Sequence, residues 1–338
     1  KHNTASEIRL SLVGSEMCIR DRNNAMTLSE TAVLFRFHGG HPSGIKQDSF
    51  LKDDLASTKN ADSNTLMVAK HIFGYDINKY FRKVLNEFRN DHYFPSTFPW
   101  KDGATIKSSW RLVANSDLDK LIQATQNAKT KWDREVQDFA KRYQQLLADA
   151  PNRLGSAYNP DDYDSLDYVM SKFIFEYEIM PIPSYDEDDI RLKGSAQQRQ
   201  MIADSIKGQL ESNIEAIAEG TIESLSQQME RVSDAMKNFN PSEKGGKFFK
   251  DAIIDNLAEA NNRAIIANKD LFNNNKSLTE VTTKVAALVA TINSVDSLRD
   301  KTELGQSKRD TVAEKIDDAQ DTLKNASMLD QMFGGRDE

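Results

Sequence analysis

Residues 196–238, AQQRQMIADSIKGQLESNIEAIAEGTIESLSQQMERVSDAMKN, decide the fold. Ile202, Ile206, Leu210, Ile214, Ile217, Leu225, Met229, Val232 and Met236 recur at steps of mostly three or four, with Glu, Gln, Ser and Lys between them. That pattern predicts one long helix with an apolar seam repeating about every 3.5 residues, as in coiled coils and long helical hairpins. Asn240-Pro241 and Gly245-Gly246 interrupt it, and Phe248, Phe249, Ile253, Ile254, Leu257, Ile265 and Ile266 start a second helix. After the polar break Asn273–Asn275, a last helix or helix pair begins near Leu278. It carries Val281, Val285, Leu288, Val289, Ile292, Val295 and Leu298, then Val312, Ile316, Ala319 and Leu323. Such stripes need cover, either from one another or from a second copy of the chain. A homo-oligomer held through Ile206, Leu210, Ile214, Leu225, Met229 and Val232 is the expectation.

The sequence ahead of this helical region has a different character. Of eight prolines, only Pro241 lies beyond Pro183, and all three Trp and every Tyr precede residue 186. Thr31–Phe37 (TAVLFRF) reads as a strand running into a loop at Gly39-Gly40. Lys172–Met180 (KFIFEYEIM) alternates Phe173, Phe175, Tyr177 and Ile179 on one face, so it reads as a second strand and a pairing partner for the first. Between them, Ile77, Tyr80, Phe81, Val84, Leu85 and Phe88 are helically spaced. A longer helix spans about Asp117 to Ala150, capped by Ser116 and ended by Pro151. The fold class is therefore mainly α (α+β): a small antiparallel sheet with a helical hairpin over 26–192, then a long-helix bundle or coiled-coil-like arm over 195–330, and a frayed tail at 331–338.

Composition narrows the function classes. The 338 residues carry 44 Lys+Arg against 52 Asp+Glu, a net charge of −8, and one Cys. No run reaches the roughly 18 apolar residues of a membrane span, and one Cys cannot build an internal disulfide framework. A net acidic chain is not a general nucleic-acid coat, although a local basic groove can survive within it. Within residues 7–22, the run Leu12–Asp21, LVGSEMCIRD, resembles one reading frame of a transposase-end sequencing adapter. On that resemblance residues 1–25 are non-native, and Cys18 leaves with them, removing thiol chemistry.

Three motifs raise chemistry. His38-Gly-Gly-His-Pro-Ser-Gly-Ile-Lys46 has glycines at the two phosphate-loop positions. However, Lys46 falls one place late, Gln47 replaces the Mg²⁺-binding hydroxyl, and Pro42 removes an N–H, so a turn is the better reading. His38 and His41 read as exposed loop histidines rather than metal ligands. Asp161, Asp162, Asp164 and Asp167, then Asp186, Glu187, Asp188 and Asp189, are two acidic clusters. Consecutive acids fan outward, which suits a solvated turn or a basic partner better than a metal; Asp162 and Asp164 are the weak metal candidates, and a metal-dependent hydrolase is the third function class. The segment from Arg89 to Gly103 is rich in aromatic rings and, with Arg111, offers Arg89, His92, Tyr93, Trp100, Lys101 and Arg111 as a stacking surface for single-stranded nucleic acid. Core packing is the competing reading, because large aromatic side chains are most often buried.

Residues from roughly Val68 to Leu192 resemble a family of uncharacterised tailed-phage proteins. The resemblance rests on Arg89-Asn90-x-His92-Tyr93, Thr97-x-Pro99-Trp100-x-Asp102-Gly103, Arg153-Leu154-Gly155, Asp162-Tyr163, Lys172-Phe173-x-Phe175, Pro181-x-Pro183 and Asp189-x-Arg191. Lys107-Ser-Ser-Trp-Arg-Leu-Val113 stands where that family carries an Arg-Leu-Leu-Pro type segment. The resemblance implies a phage origin and a product in the host cytoplasm, with no activity to transfer. The leading expectation is a non-enzymatic accessory protein that self-associates and contacts a phage or host protein, with no cofactor and no membrane. A single-stranded nucleic-acid-binding accessory of replication or recombination is the alternative.

Overall fold

The computed structural model describes residues 28–101, 109–183, 195–240, 250, 252–292 and 294–325. The adapter-like segment with Cys18, the acidic cluster 186–189, the Gly245-Gly246 break and the tail 331–338 lie outside them. Within the described residues the protein is mainly helical with small antiparallel sheets, in agreement with the sequence pattern. The chain divides into two compact units, each assembled from separated segments. One holds the residues up to Phe35, then Pro95–Leu118, then everything from Ile179 on; the other holds Arg36–Phe94 and Asp119–Glu178. This division differs from the expected boundary near 192–195. Contiguous reading cannot detect it, because hydrophobic periodicity shows which residues of a segment are buried and not which distant segment covers them.

The strands are β1 (Ala32–Gly40), β2 (Ile45–Gln47), β3 (Ala69–His71), β4 (Phe98–Pro99), β5 (Trp110–Ala114) and β6 (Ile174–Pro181). One sheet has the order β4-β5-β1-β6, and β2 pairs with β3 in another. The expected pairing of the two long strands is present. Arg36 meets Glu178, and a Cβ built on Gly40 would lie 3.8 Å from the Ile174 Cβ, so the two strands run in opposite directions. β1 continues three residues past its expected end. Gly39 belongs to the strand because a Cβ there would sit 2.8 Å from the Phe37 ring and 2.9 Å from Leu85.

The unit formed by Arg36–Phe94 and Asp119–Glu178 has an aromatic core. It contains α1 (Ser49–Lys59), α2 (Tyr75–Phe88), most of α3 (Asn115–Leu154) and the one-turn α4 (Leu166–Met170). Helix α2 and helix α3 meet through rings: Phe81 lies 5.3 Å from Trp132 and 4.8 Å from Phe173, and Phe139 lies 5.2 Å from Phe173. Phe37 packs edge-on against Phe88 at 4.7 Å and Phe175 at 4.8 Å. Each such pair adds about 0.5–1.5 kcal/mol beyond area burial. Pro151 does not end α3, as expected from its missing N–H. The helix runs to Leu154, and Gly155 at φ 55° turns the chain away, since a proline in the last turn forfeits only one hydrogen bond.

The other unit is built on α5 (Ala196–Lys237), α6 (Ala252–Asp270), α7 (Lys276–Thr291) and α8 (Glu303–Asn325), so the last stretch is a helix pair. Each helix packs on the next and α8 closes back on α5, which makes a bundle within one chain. Ser195 caps α5 and Gln198 returns the hydrogen bond, a reciprocal capping box. The seam residues Leu210, Ile214, Leu225, Met229 and Val232 are buried here with Leu257, Leu278, Val281, Val285 and Ile316. Leu28, Leu34, Phe98, Trp100 and Leu112 join the same core, and Ile206 packs at its margin. The expected intermolecular seam is therefore covered from within the chain. Four helices turning back on one another satisfy each stripe without a second copy.

Helix α8 is fixed at its start by close backbone approach. A Cβ on Gly305 would fall 2.2 Å from the Asp300 carbonyl oxygen. Buried Arg309 donates to the Leu298 and Asp300 carbonyls at 2.8 Å each and stacks 4.4 Å over Phe239. Leu225 is fully buried in the bundle. Leu225→Ala should lower unfolding free energy by about 2–5 kcal/mol in urea titration, through lost transfer energy and the cavity left behind.

Candidate functional site

The proposed stacking residues are placed by structural duties. In the aromatic unit, α2 runs into a wider turn over Arg89–Tyr93, where the Phe94 N–H donates to the Arg89 carbonyl at 2.8 Å. This turn swings Tyr93 inward, where it is 5% exposed and 5.8 Å from Phe37. Arg89 donates to the Gly39 carbonyl at 3.2 Å with its guanidinium 5.5 Å from the Phe37 ring, and desolvation pulls its pKa down. His92 is exposed at the edge of Phe88.

In the bundle unit, Trp100 is 8% exposed within the core. The backbone of Lys101 is gripped at both ends by buried Asn213, which accepts from its N–H at 2.6 Å and donates to its carbonyl at 3.0 Å. Arg111 binds the Thr97 hydroxyl and, at 3.0 Å, its carbonyl, which also accepts from Arg263 at 3.0 Å. Stacking needs ring faces open to solvent. Tyr93 and Trp100 are packed instead, so the core reading of this segment holds for both rings.

The glycine segment, read as a turn, connects β1 to β2 through residues 41–44. Residues 45–47 form β2 rather than a phosphate cradle, with Ile45 opposite His71. The N-terminus of α1, where a phosphate would sit, is occupied by the Asp48 carboxylate, which accepts from the Leu51 N–H at 2.9 Å. A negative group already at that position repels another.

The first acidic cluster yields the most concentrated electrostatics. Asp48 and Asp162 converge on the Lys70 ammonium at 2.9 and 2.7 Å, Asp162 as an ion pair, and Lys70 donates hydrogen bonds to the Asp48 carboxylate at 2.9 Å and to the Ala157 carbonyl at 2.7 Å. Their side chains are only 9% (Lys70), 11% (Asp48) and 17% (Asp162) exposed. The ammonium thus occupies the place a metal ion would need beside Asp162. Asp164 points elsewhere, its carboxylate 4.0 Å from Lys46 and its carbonyl accepting from Tyr143 at 2.6 Å. Among the described residues no group of three or more His, Cys, Asp or Glu could hold a metal ion. His41 bonds the Pro42 carbonyl through Nδ1 at 2.8 Å, and His38 lies 3.7 Å from Glu178.

Sequence reading missed the polar residues of the bundle core. Asn261 donates to the Thr282 carbonyl at 3.0 Å, and Asn268 donates to the Asn275 carbonyl at 3.1 Å and the Thr279 hydroxyl at 2.8 Å. Their signal was present: Ile254, Leu257, Asn261, Ala264 and Asn268 follow one another at three and four residues, so both asparagines stand on the buried stripe.

A different surface feature lies on α5. At 42 residues this helix is about 63 Å long, and its first three turns have mostly exposed side chains. There Met201 is 64% and Ile202 42% exposed, with partly buried Ile206 one turn on from Ile202. No helix among the described residues is long and apolar enough to cross a membrane. No protein-family model, curated protein or solved structure matches the chain.

The Lys70 cluster has a defined pH signature. Hydrogen bonding by the Leu51 N–H and by Lys70 lowers the Asp48 pKa, so its contribution is present above the ordinary carboxylate range and lost as pH falls through the lowered value. Desolvation pulls Lys70 down, but hydrogen bonds and charge from Asp162 and Asp48 outweigh it, so its pKa is raised; its contribution is lost only as pH rises through that raised value. In thermal melts, Lys70→Met should lower Tm most between about pH 5 and 10, with the difference from wild type shrinking below about pH 4. A pH-independent difference would show that packing of the lysine stem, rather than its charge, is what the substitution removes.

Proposed function

We propose that the chain is a non-enzymatic interaction protein, an accessory component of a tailed phage, that self-associates through the exposed first turns of α5. The observation that carries this reading is the apolar patch of Met201 and Ile202, continued by Ile206, at the start of the bundle's longest helix. Helix ends beyond a covered core are ordinarily polar. Two large apolar side chains held in water on a rigid helix lose about 25 cal/mol per Å² of favourable burial unless another surface covers them.

A second copy is the occupant we favour. The patch lies beside Arg199, Asp204 and Lys207, so the same twelve residues bring both charge signs to an antiparallel self-contact. The phage assignment draws on the motif resemblance over residues 68–192, and the self-association on the exposed α5 patch. The seam from Leu210 to Val232 is buried inside the bundle, and the reading therefore rests on this shorter exposed segment of α5.

Light scattering of the full chain tests the proposal. Wild type should scatter as an oligomer whose mass falls on dilution, and Met201→Glu with Ile202→Glu should give a monomer with an unchanged helical circular dichroism spectrum. A wild-type monomer at high concentration, or an oligomer untouched by both substitutions, would overturn it.

A further inference from the structure

Residues 45–70 form an excursion from the aromatic unit, and little apolar burial holds it there. Ala56 is the one buried side chain among them. Phe50 and Met67, 78% and 80% exposed, stand in water, and Leu51, Leu66 and Val68 are half-buried. The regular elements of the excursion pack chiefly on one another, β2 on β3 and α1 on the turn Ser63–Thr65. Its two ends meet where the Ile72 N–H donates to the Gly44 carbonyl at 2.9 Å. The flanking Gly44 and Gly74 have φ of 56° and 93°, a region glycine enters and leaves without a Cβ penalty, so the chain is jointed on each side.

What fastens the excursion is polar and centres on one residue. Lys70 reaches out of it to the Asp162 carboxylate and the Ala157 carbonyl, each at 2.7 Å. It also reaches back to Asp48, the residue that caps α1, at 2.9 Å. One ammonium therefore ties the ribbon, the start of α1 and the turn Pro160–Asp162 together. A second ion pair, Lys46 with Asp164 at 4.0 Å, joins side chains that are 42% and 45% exposed and is worth little. The desolvated cluster differs, because removing one partner strands the other charge away from water. The pieces do not stand alone either. An 11-residue helix and a two-stranded ribbon are both marginal in water without a surface to pack on.

We infer that residues 45–70 are an order–disorder switch thrown at Lys70. With Asp48 and Asp162 on the ammonium the excursion is folded. With the ammonium drawn away it unfolds between its glycine joints, while the core around Phe81, Trp132, Phe139 and Phe173 stays folded. Release brings Leu51, Leu66 and Val68 into water beside Phe50 and Met67, so one buried lysine gates the exposure of an apolar arm. Segments that order and disorder in this way are a recurring form of conformational switch. The switch lies in the aromatic unit and does not depend on α5; a chain that proved monomeric would leave it intact.

Amide hydrogen exchange of the full-length protein tests it. In wild type, amides of α1 and of the β2–β3 ribbon should exchange faster than those of residues 136–143 on α3, because they open locally rather than with the whole unit. Lys70→Met should speed exchange over residues 45–70 about a hundredfold, and Asp162→Asn, which keeps the side-chain size, at least about tenfold. Residues 136–143 should change far less in both variants. Lys46→Met should stay within about twofold of wild type. Four results would each overturn the switch: wild-type exchange over 45–70 as slow as that of 136–143, no acceleration in either Lys70→Met or Asp162→Asn, equal acceleration of 136–143, or an effect of Lys46→Met as large as theirs.

Discussion

The stripe from Leu210 to Met236 on α5 has to be kept from water, and the bundle unit is arranged to do so. At roughly 1.5–3 kcal/mol for each large apolar side chain fully buried, leaving this stripe open would cost more than a domain's whole net stability. Helices α6, α7 and α8 cover it in turn, and Leu34 at the start of β1, Phe98 and Trp100 at β4 and Leu112 on β5 join the same core. Bundle topology follows from that need, because each helix packs on the next and α8 returns to α5, the helix the bundle starts from.

Polar groups inside this core then decide how its helices line up. Asn213 reaches the backbone of Lys101, while Asn261 and Asn268 reach the α7 side of the bundle. An apolar stripe alone tolerates slippage by one turn; a buried amide that must meet one carbonyl does not. Ser233 and Lys237 on α5 both contact Asp317 on α8 in the same manner.

Local pattern was legible wherever one face of an element is wet. The alternation of Lys172–Met180 and the three-four spacing of α2, α3 and α5 gave elements close to those observed, and the strand pair was read correctly. Three things were not legible. Gly39-Gly40 reads as a loop because glycine is permissive, yet the Phe37 ring and Leu85 leave no room for any side chain at Gly39. Asp162 reads as a surface acid because nothing local announces Lys70, which stands 92 residues earlier in sequence. The seam of α5 reads equally well as an interface between chains or within one, since periodicity records burial and not the identity of what does the burying.

The chain crosses between its two units at residues 35/36, 94/95, 118/119 and 178/179, and this orders events on the ribosome. Every segment of the aromatic unit has been synthesised once Glu178 emerges, so that unit can close first. By then Leu34, Phe98, Trp100 and Leu112 have also emerged, but the helices that share their core have not. They wait in the nascent chain for more than a hundred residues of further synthesis, on the order of 5–30 s at typical elongation rates. Through that interval the growing polypeptide carries apolar side chains whose cover has yet to be made, the kind of surface that favours aggregation before a fold is complete.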